Sequence, residues 1–106
     1  MLIMNNKDEE ISRLLKEIGD RLKSARLARN ESQEVFAARI GLTRQSYSKM
    51  EKGTASVPIG SWLAASGILN RLDTWQGVLA EKTDLFAEFE RKQLTKQRAS
   101  SRKSGK

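Results

Sequence analysis

Arg44, Gln45, Ser46, Ser48 and Lys49 fall within one stretch of six residues, interrupted only by Tyr47. If the stretch is helical, Tyr47 and Met50 share one face and the long hydrogen-bonding side chains are left facing outward. A guanidinium can fork onto the two acceptors of guanine, a carboxamide can fork onto adenine, and an ammonium group can meet a phosphate. The chemistry within reach is therefore recognition of base edges and phosphates. Catalysis has less to work with, because the chain contains no cysteine and no histidine. Thiol nucleophiles, disulfides, Cys- or His-containing zinc sites and imidazole acid–base chemistry are thereby excluded. The remaining carboxylates, hydroxyls and lysines form no recognisable catalytic constellation. We expect no enzyme activity, no catalytic residue, no bound metal and no cofactor.

The elements that must hold these side chains can be read from spacing and helix-end residues. Ile11, Leu14, Leu15, Ile18, Leu22 and Ala25 recur at helical intervals and predict a first helix over about 9–29, with Asn30 as a left-handed stop. Ser32 suits the N-cap of a short second helix, Gln33 to Ile40, whose buried face is Phe36, Ala37 and Ile40. Gly41 ends it, Leu42 links, and Thr43 caps a third helix from Arg44 to Lys52 that stops at Gly53. A connection this short forces a steep crossing of the two helices. Pro58 fits the first turn of a fourth helix carrying Ile59, Trp62, Leu63, Ile68 and Leu69, with Gly60 and Gly67 weakening it and Asn70 as its stop. Leu72, Trp75, Val78 and Leu79 predict a short fifth helix, and Leu85, Phe86 and Phe89 begin a last amphipathic segment. Trp62 and Trp75 read as core or interface residues. No strand alternation or hairpin signal is present, so the predicted class is all-α, a compact bundle of about five helices with a basic C-terminal tail.

Charge adds a partner. With 106 residues, 38% hydrophobic, the chain suits one modest core. Its net charge is +7, and residues 91–106 alone hold seven basic residues and no acid. Residues 21–52 carry eight basic and three acidic residues, whereas 53–90 carry two and five. A positive middle and a positive tail point to two contacts with one polyanion. The tail from about Gln93 has too little apolar content to pack and reads as flexible, serving as a phosphate contact or as a solubility tail. No apolar run reaches the length of a membrane span and the start lacks signal-peptide features, so a cytoplasmic protein with no membrane association is expected.

The stretch from Ser32 to Gly53 resembles the helix-turn-helix of the Xre/Cro/C1 family of transcriptional regulators. It carries the Ser32-Gln33 opening, Ala37, the Gly41-Leu42-Thr43 turn and the Glu51-Lys52-Gly53 close. The resemblance extends over about residues 10–70 and implies the lambda-repressor-like bundle. It further implies that Thr43, Arg44, Gln45, Ser46 and Lys49 face DNA, that Gln33 holds a phosphate, and that Arg26 and Glu51 form a structural ion pair. The organisation expected is an N-terminal arm over 1–8, a helix-turn-helix DNA-binding domain over 9–70, a C-terminal helical extension over 71–92 serving as dimer or partner surface, and a basic flexible tail over 93–106. Family members of this kind bind double-stranded DNA as dimers across two half-sites. The reading that follows is a sequence-specific regulator, a repressor acting as a homodimer on a palindromic operator. Residues 69–73 and the basic tail are also similar to HipB-like antitoxins encoded beside HipA-like kinases. That second resemblance implies binding and neutralising a HipA-like toxin protein, with autoregulation of the operon.

Overall fold

A computed structural model describes residues 6–81 and 89–94. Four α-helices follow one another: α1 Asn6–Ala28, α2 Gln33–Arg39, α3 Arg44–Glu51 and α4 Ile59–Ile68, then a 3₁₀ turn over Leu72–Trp75. The chain divides into two units, Met1–Gln76 and Gly77–Lys106. There are no strands among the described residues.

All four helices end in the same way. Asn30, Gly41, Gly53 and Asn70 take left-handed backbone angles, with φ of 56°, 72°, 77° and 57°. At each end the left-handed residue's N–H and the one after it return to carbonyls of the last turn. Gly41 donates to Ala38 and Leu42 to Ala37, while Gly53 donates to Met50 and Thr54 to Lys49. These are Schellman closures, which satisfy carbonyls that a helix end otherwise leaves bare. The helix starts use side chains: Ser32 accepts from the Val35 N–H at 3.1 Å and Thr43 from the Ser46 N–H at 3.1 Å. Cap and closure residues therefore cut the segment 29–54 into two short helices joined by 40–43, the geometry that presents α3.

The core of the first unit joins Leu22 of α1, Phe36 and Ala37 of α2, Tyr47 and Met50 of α3, and Trp62 and Ala65 of α4. Phe36 and Tyr47 pack at a ring separation of 5.3 Å, tilted by 45°, an arrangement favourable to aromatic quadrupoles. Ile40, Leu42 and Trp75 close the edges of the cluster. The Trp75 indole donates to the Ser66 hydroxyl at 2.7 Å, and Ser66 donates to the Trp62 carbonyl at 2.8 Å. Trp62 is thus a core residue, and Trp75 is half-buried against it.

Two expectations need correction. α1 begins at Asn6, ahead of position 9, because Asp8 and Glu9 suit the positive end of its dipole from within the first turn. Its apolar stripe outruns its packing surface, leaving Ile11 and Leu14 exposed. The fifth helix is only the 3₁₀ turn: Trp75 is drawn to Ser66, Gly77 follows, and Leu79 sits fully exposed at φ 61°. In the second unit, residues 89–94 are helical, and Phe86 and the tail beyond residue 94 lie outside the described residues.

Gly60 gives a clean stability prediction. A Cβ there would meet nothing within 4 Å, so alanine removes backbone freedom from the unfolded chain at no steric cost. Gly60→Ala is expected to raise stability by about 0.4–1 kcal/mol, read as a higher urea midpoint with unchanged slope.

Candidate nucleic-acid interface

α3 is divided lengthwise. Tyr47 and Met50 have no solvent exposure, whereas Arg44, Gln45, Ser46 and Lys49 all face solvent. The capping hydrogen bond at Thr43 fixes where this polar face begins. Thr43 also donates its hydroxyl proton to Ser46 Oγ at 3.1 Å. Its hydroxyl is therefore engaged within the turn. Ser46 keeps its own hydroxyl proton for an outside acceptor. Arg44 and Gln45, on the first turn, present to solvent a guanidinium and a carboxamide, groups whose forks can match guanine and adenine. Lys49, one turn further, supplies a mobile cation.

Behind that face lies a buried polar network. Arg26 of α1 meets Glu51 of α3 through a double fork, Nε to Oε2 at 2.7 Å and Nη2 to Oε1 at 3.1 Å. Gln33 Nε2 donates to Glu51 Oε1 at 3.0 Å, and the Tyr47 hydroxyl donates to Oε2. Arg26 has a hydrogen left for the Glu31 carbonyl at 2.7 Å. Arg26 and Glu51 are only 6% and 5% exposed, so removing either partner leaves the other buried without its counterion. Burial pushes the Glu51 carboxyl up most strongly, but hydrogen bonds from Arg26, Tyr47 and Gln33, with the Arg26 charge, together hold it below its ordinary value. The hydrogen bond to Glu51 raises Arg26 above its ordinary value despite burial. Burial first, then the bond to Glu51, pushes the Tyr47 phenol well up.

The ion pair implied for Arg26 and Glu51 is therefore in place. Gln33 is half-buried, with one amide hydrogen committed to Glu51 and the other available, so its carboxamide plane is fixed rather than free. The structure gathers Thr43, Arg44, Gln45, Ser46 and Lys49 on α3, and the Glu51 network links Gln33 to that helix. Three participants escaped the sequence reading. Tyr47 is one: the spacing places it on the inner face with Met50, and its position four residues before Glu51 also puts its hydroxyl beside the carboxylate. Gly19 is a second: a Cβ there would lie 2.5 Å from the Glu51 carbonyl oxygen. The third is Glu31, which accepts a hydrogen bond from Arg29 and forms an ion pair with Arg39.

No helix of the described residues is long and apolar enough to cross a membrane. No group of three or more carboxylates that could hold a metal ion occurs among them. No curated protein and no solved structure matches the chain. A helix-turn-helix family model does match, over residues 22–73, which spans the C-terminal part of α1, the pair α2 and α3, α4 and the start of the 3₁₀ turn. With two short capped helices meeting across a Gly-Leu-Thr turn and the second turned outward along its polar face, residues 22–73 are a helix-turn-helix domain of the Xre/Cro/C1 type, the kind found in DNA-binding regulators.

Proposed function

We propose that the protein is a sequence-specific transcriptional repressor that binds a palindromic operator as a homodimer. The observation that carries this reading is the division of α3, with its inner face completely buried and its outer face made of Arg44, Gln45, Ser46 and Lys49. A helix of this kind fits the major groove, where each base pair presents a distinct donor and acceptor pattern. Gln33 supplies a phosphate contact that sets the orientation of the domain, because phosphate contacts position and base contacts specify. One such helix covers few base pairs, and two of them about 34 Å apart read a palindrome. Exposed Val78, Leu79 and Phe89 in the second unit supply apolar surface for a second copy. The same exposed residues favour one other reading, an antitoxin that docks a HipA-like kinase toxin there and uses DNA binding for autoregulation.

Selection of bound duplexes from a random pool tests the main reading. A palindromic consensus bound by two chains is expected. Against that consensus, Arg44→Ala should cost about 1–3 kcal/mol, and much less against random duplex at the same salt concentration. Equal losses on both duplexes would reduce Arg44 to a phosphate contact. A kinase that stays bound through purification at high salt would favour the antitoxin.

A further inference from the structure

Glu31 lies in the turn between α1 and α2, and its carboxylate is covered: the side chain is only 12% exposed. Two guanidinium groups converge on its one oxygen Oε1, Arg29 through Nε at 3.2 Å and Arg39 through Nη2 at 3.2 Å. The two arginine side chains remain open to solvent, at 35% and 45% exposed. The acid is thus underneath and the two cations are outside, a local excess of one positive charge. Each guanidinium has five N–H donors; Arg29 spends one on Glu31 and Arg39 meets it as an ion pair only, so most of each fork is unused by Glu31. Two long cations would otherwise repel and scatter, whereas a shared carboxylate holds them side by side before any ligand arrives. The location of the cluster follows from the buried network. The Glu31 carbonyl accepts from Arg26, Arg26 forks onto Glu51, and Glu51 holds Gln33.

From this arrangement we infer that Arg29 and Arg39, set in place by Glu31, form a second anchor on the DNA backbone, separate from α3, in which both guanidinium groups take phosphodiester oxygens. Glu31 is a positioning residue for them and touches no DNA. The inference rests on the DNA-binding reading above and adds two contacts that carry no sequence information.

The test measures binding of the full chain to a random-sequence duplex and to its selected duplex across a series of salt concentrations. Arg29→Gln combined with Arg39→Gln removes both charges, and the thermal midpoint checks that the double variant stays folded at the temperature of the binding measurement. Neutralising two phosphate contacts should lower the slope of log affinity against log salt by about 1.8 and weaken both duplexes by the same factor. Arg21→Gln combined with Arg71→Gln removes the same net charge from a shallow groove on the side of α1 turned away from Gly19, and should leave the slope unchanged. Arg29→Lys with Arg39→Lys should keep most of it. Equal loss of slope in the two glutamine doubles, or no loss in the first, overturns the anchor while the wild-type binding stands. A wild-type chain that binds neither duplex overturns the DNA-binding reading itself, and that result precedes any variant.

Discussion

Replacing Glu51 by glutamine is expected to lower the stability of the first unit by about 3–5 kcal/mol, the range seen when one partner of a buried ion pair is removed. The amide cannot neutralise Arg26, which is 6% exposed and would be left as a charge without its counterion. It also brings an NH₂ group to a place where three donors converge, since Arg26, Gln33 and Tyr47 all donate to the carboxylate. At least one buried donor then loses its acceptor, a further penalty of its own. Urea unfolding measures the loss, and a change under about 1 kcal/mol, the scale of an exposed pair, would refute the account. The same carboxylate sets the acid limit of stability. Its folded value is lowered, so its contribution is complete above the ordinary glutamate value of about 4.3 and is lost as pH falls through the lower folded value. In the glutamine variant this part of the acid transition should disappear. Tyr47 acts at the other end: its phenol is raised in the folded chain, so its contribution holds below about pH 10 and fades as pH rises beyond it.

Gly19→Ala is expected to be nearly as damaging, at about 3 kcal/mol, although it adds a single methyl group and improves helix propensity. The added Cβ would lie 2.5 Å from the Glu51 carbonyl oxygen and 2.7 Å from that of Met50. Those are backbone atoms of α3, so no side-chain rotation relieves the clash, and α1 must separate from α3. Gly53 makes the reciprocal approach, with a Cβ there 2.8 Å from the backbone of Leu15 and Lys16. Because separation also stretches the Arg26 to Glu51 fork, Gly19→Ala and Glu51→Gln should be non-additive when combined. Additive losses would mean that the two sites relax independently. Thermal unfolding of the two single variants and the double decides it, with Gly60→Ala as the control in which the same substitution is stabilising.

Most of the helix architecture is legible in the sequence because its punctuation has a physical cause. Asn30, Gly41, Gly53 and Asn70 are the residue types that tolerate a left-handed backbone, and each takes one. Ser32 and Thr43 carry the hydroxyls that helix starts need. The polar outer face of α3 follows from the inward positions of Tyr47 and Met50. What spacing does not reveal is mutual approach between distant segments. Gly19 looks like a weak point in a helix until α3 is packed against it. Glu31 looks like one acid among several until Arg29 and Arg39 are brought to it. Leu72, Trp75, Val78 and Leu79 show the opposite failure: their spacing is helical, but only Trp75 among them gains a core partner, and the segment stays a single 3₁₀ turn.

The lengthwise division of α3 has a consequence for how such a protein can change. Tyr47, Met50 and Glu51 bear all of the helix's obligations to the fold, and Arg44, Gln45, Ser46 and Lys49 bear almost none, apart from the hydrogen bond that Ser46 accepts from Thr43. On the function proposed above, substitutions at 44, 45 and 49 can therefore accumulate at little cost to stability while the sequence being read drifts. A duplicated copy could acquire a new target within a few mutational steps, and an engineer could exchange the same three positions in a library without redesigning the interior.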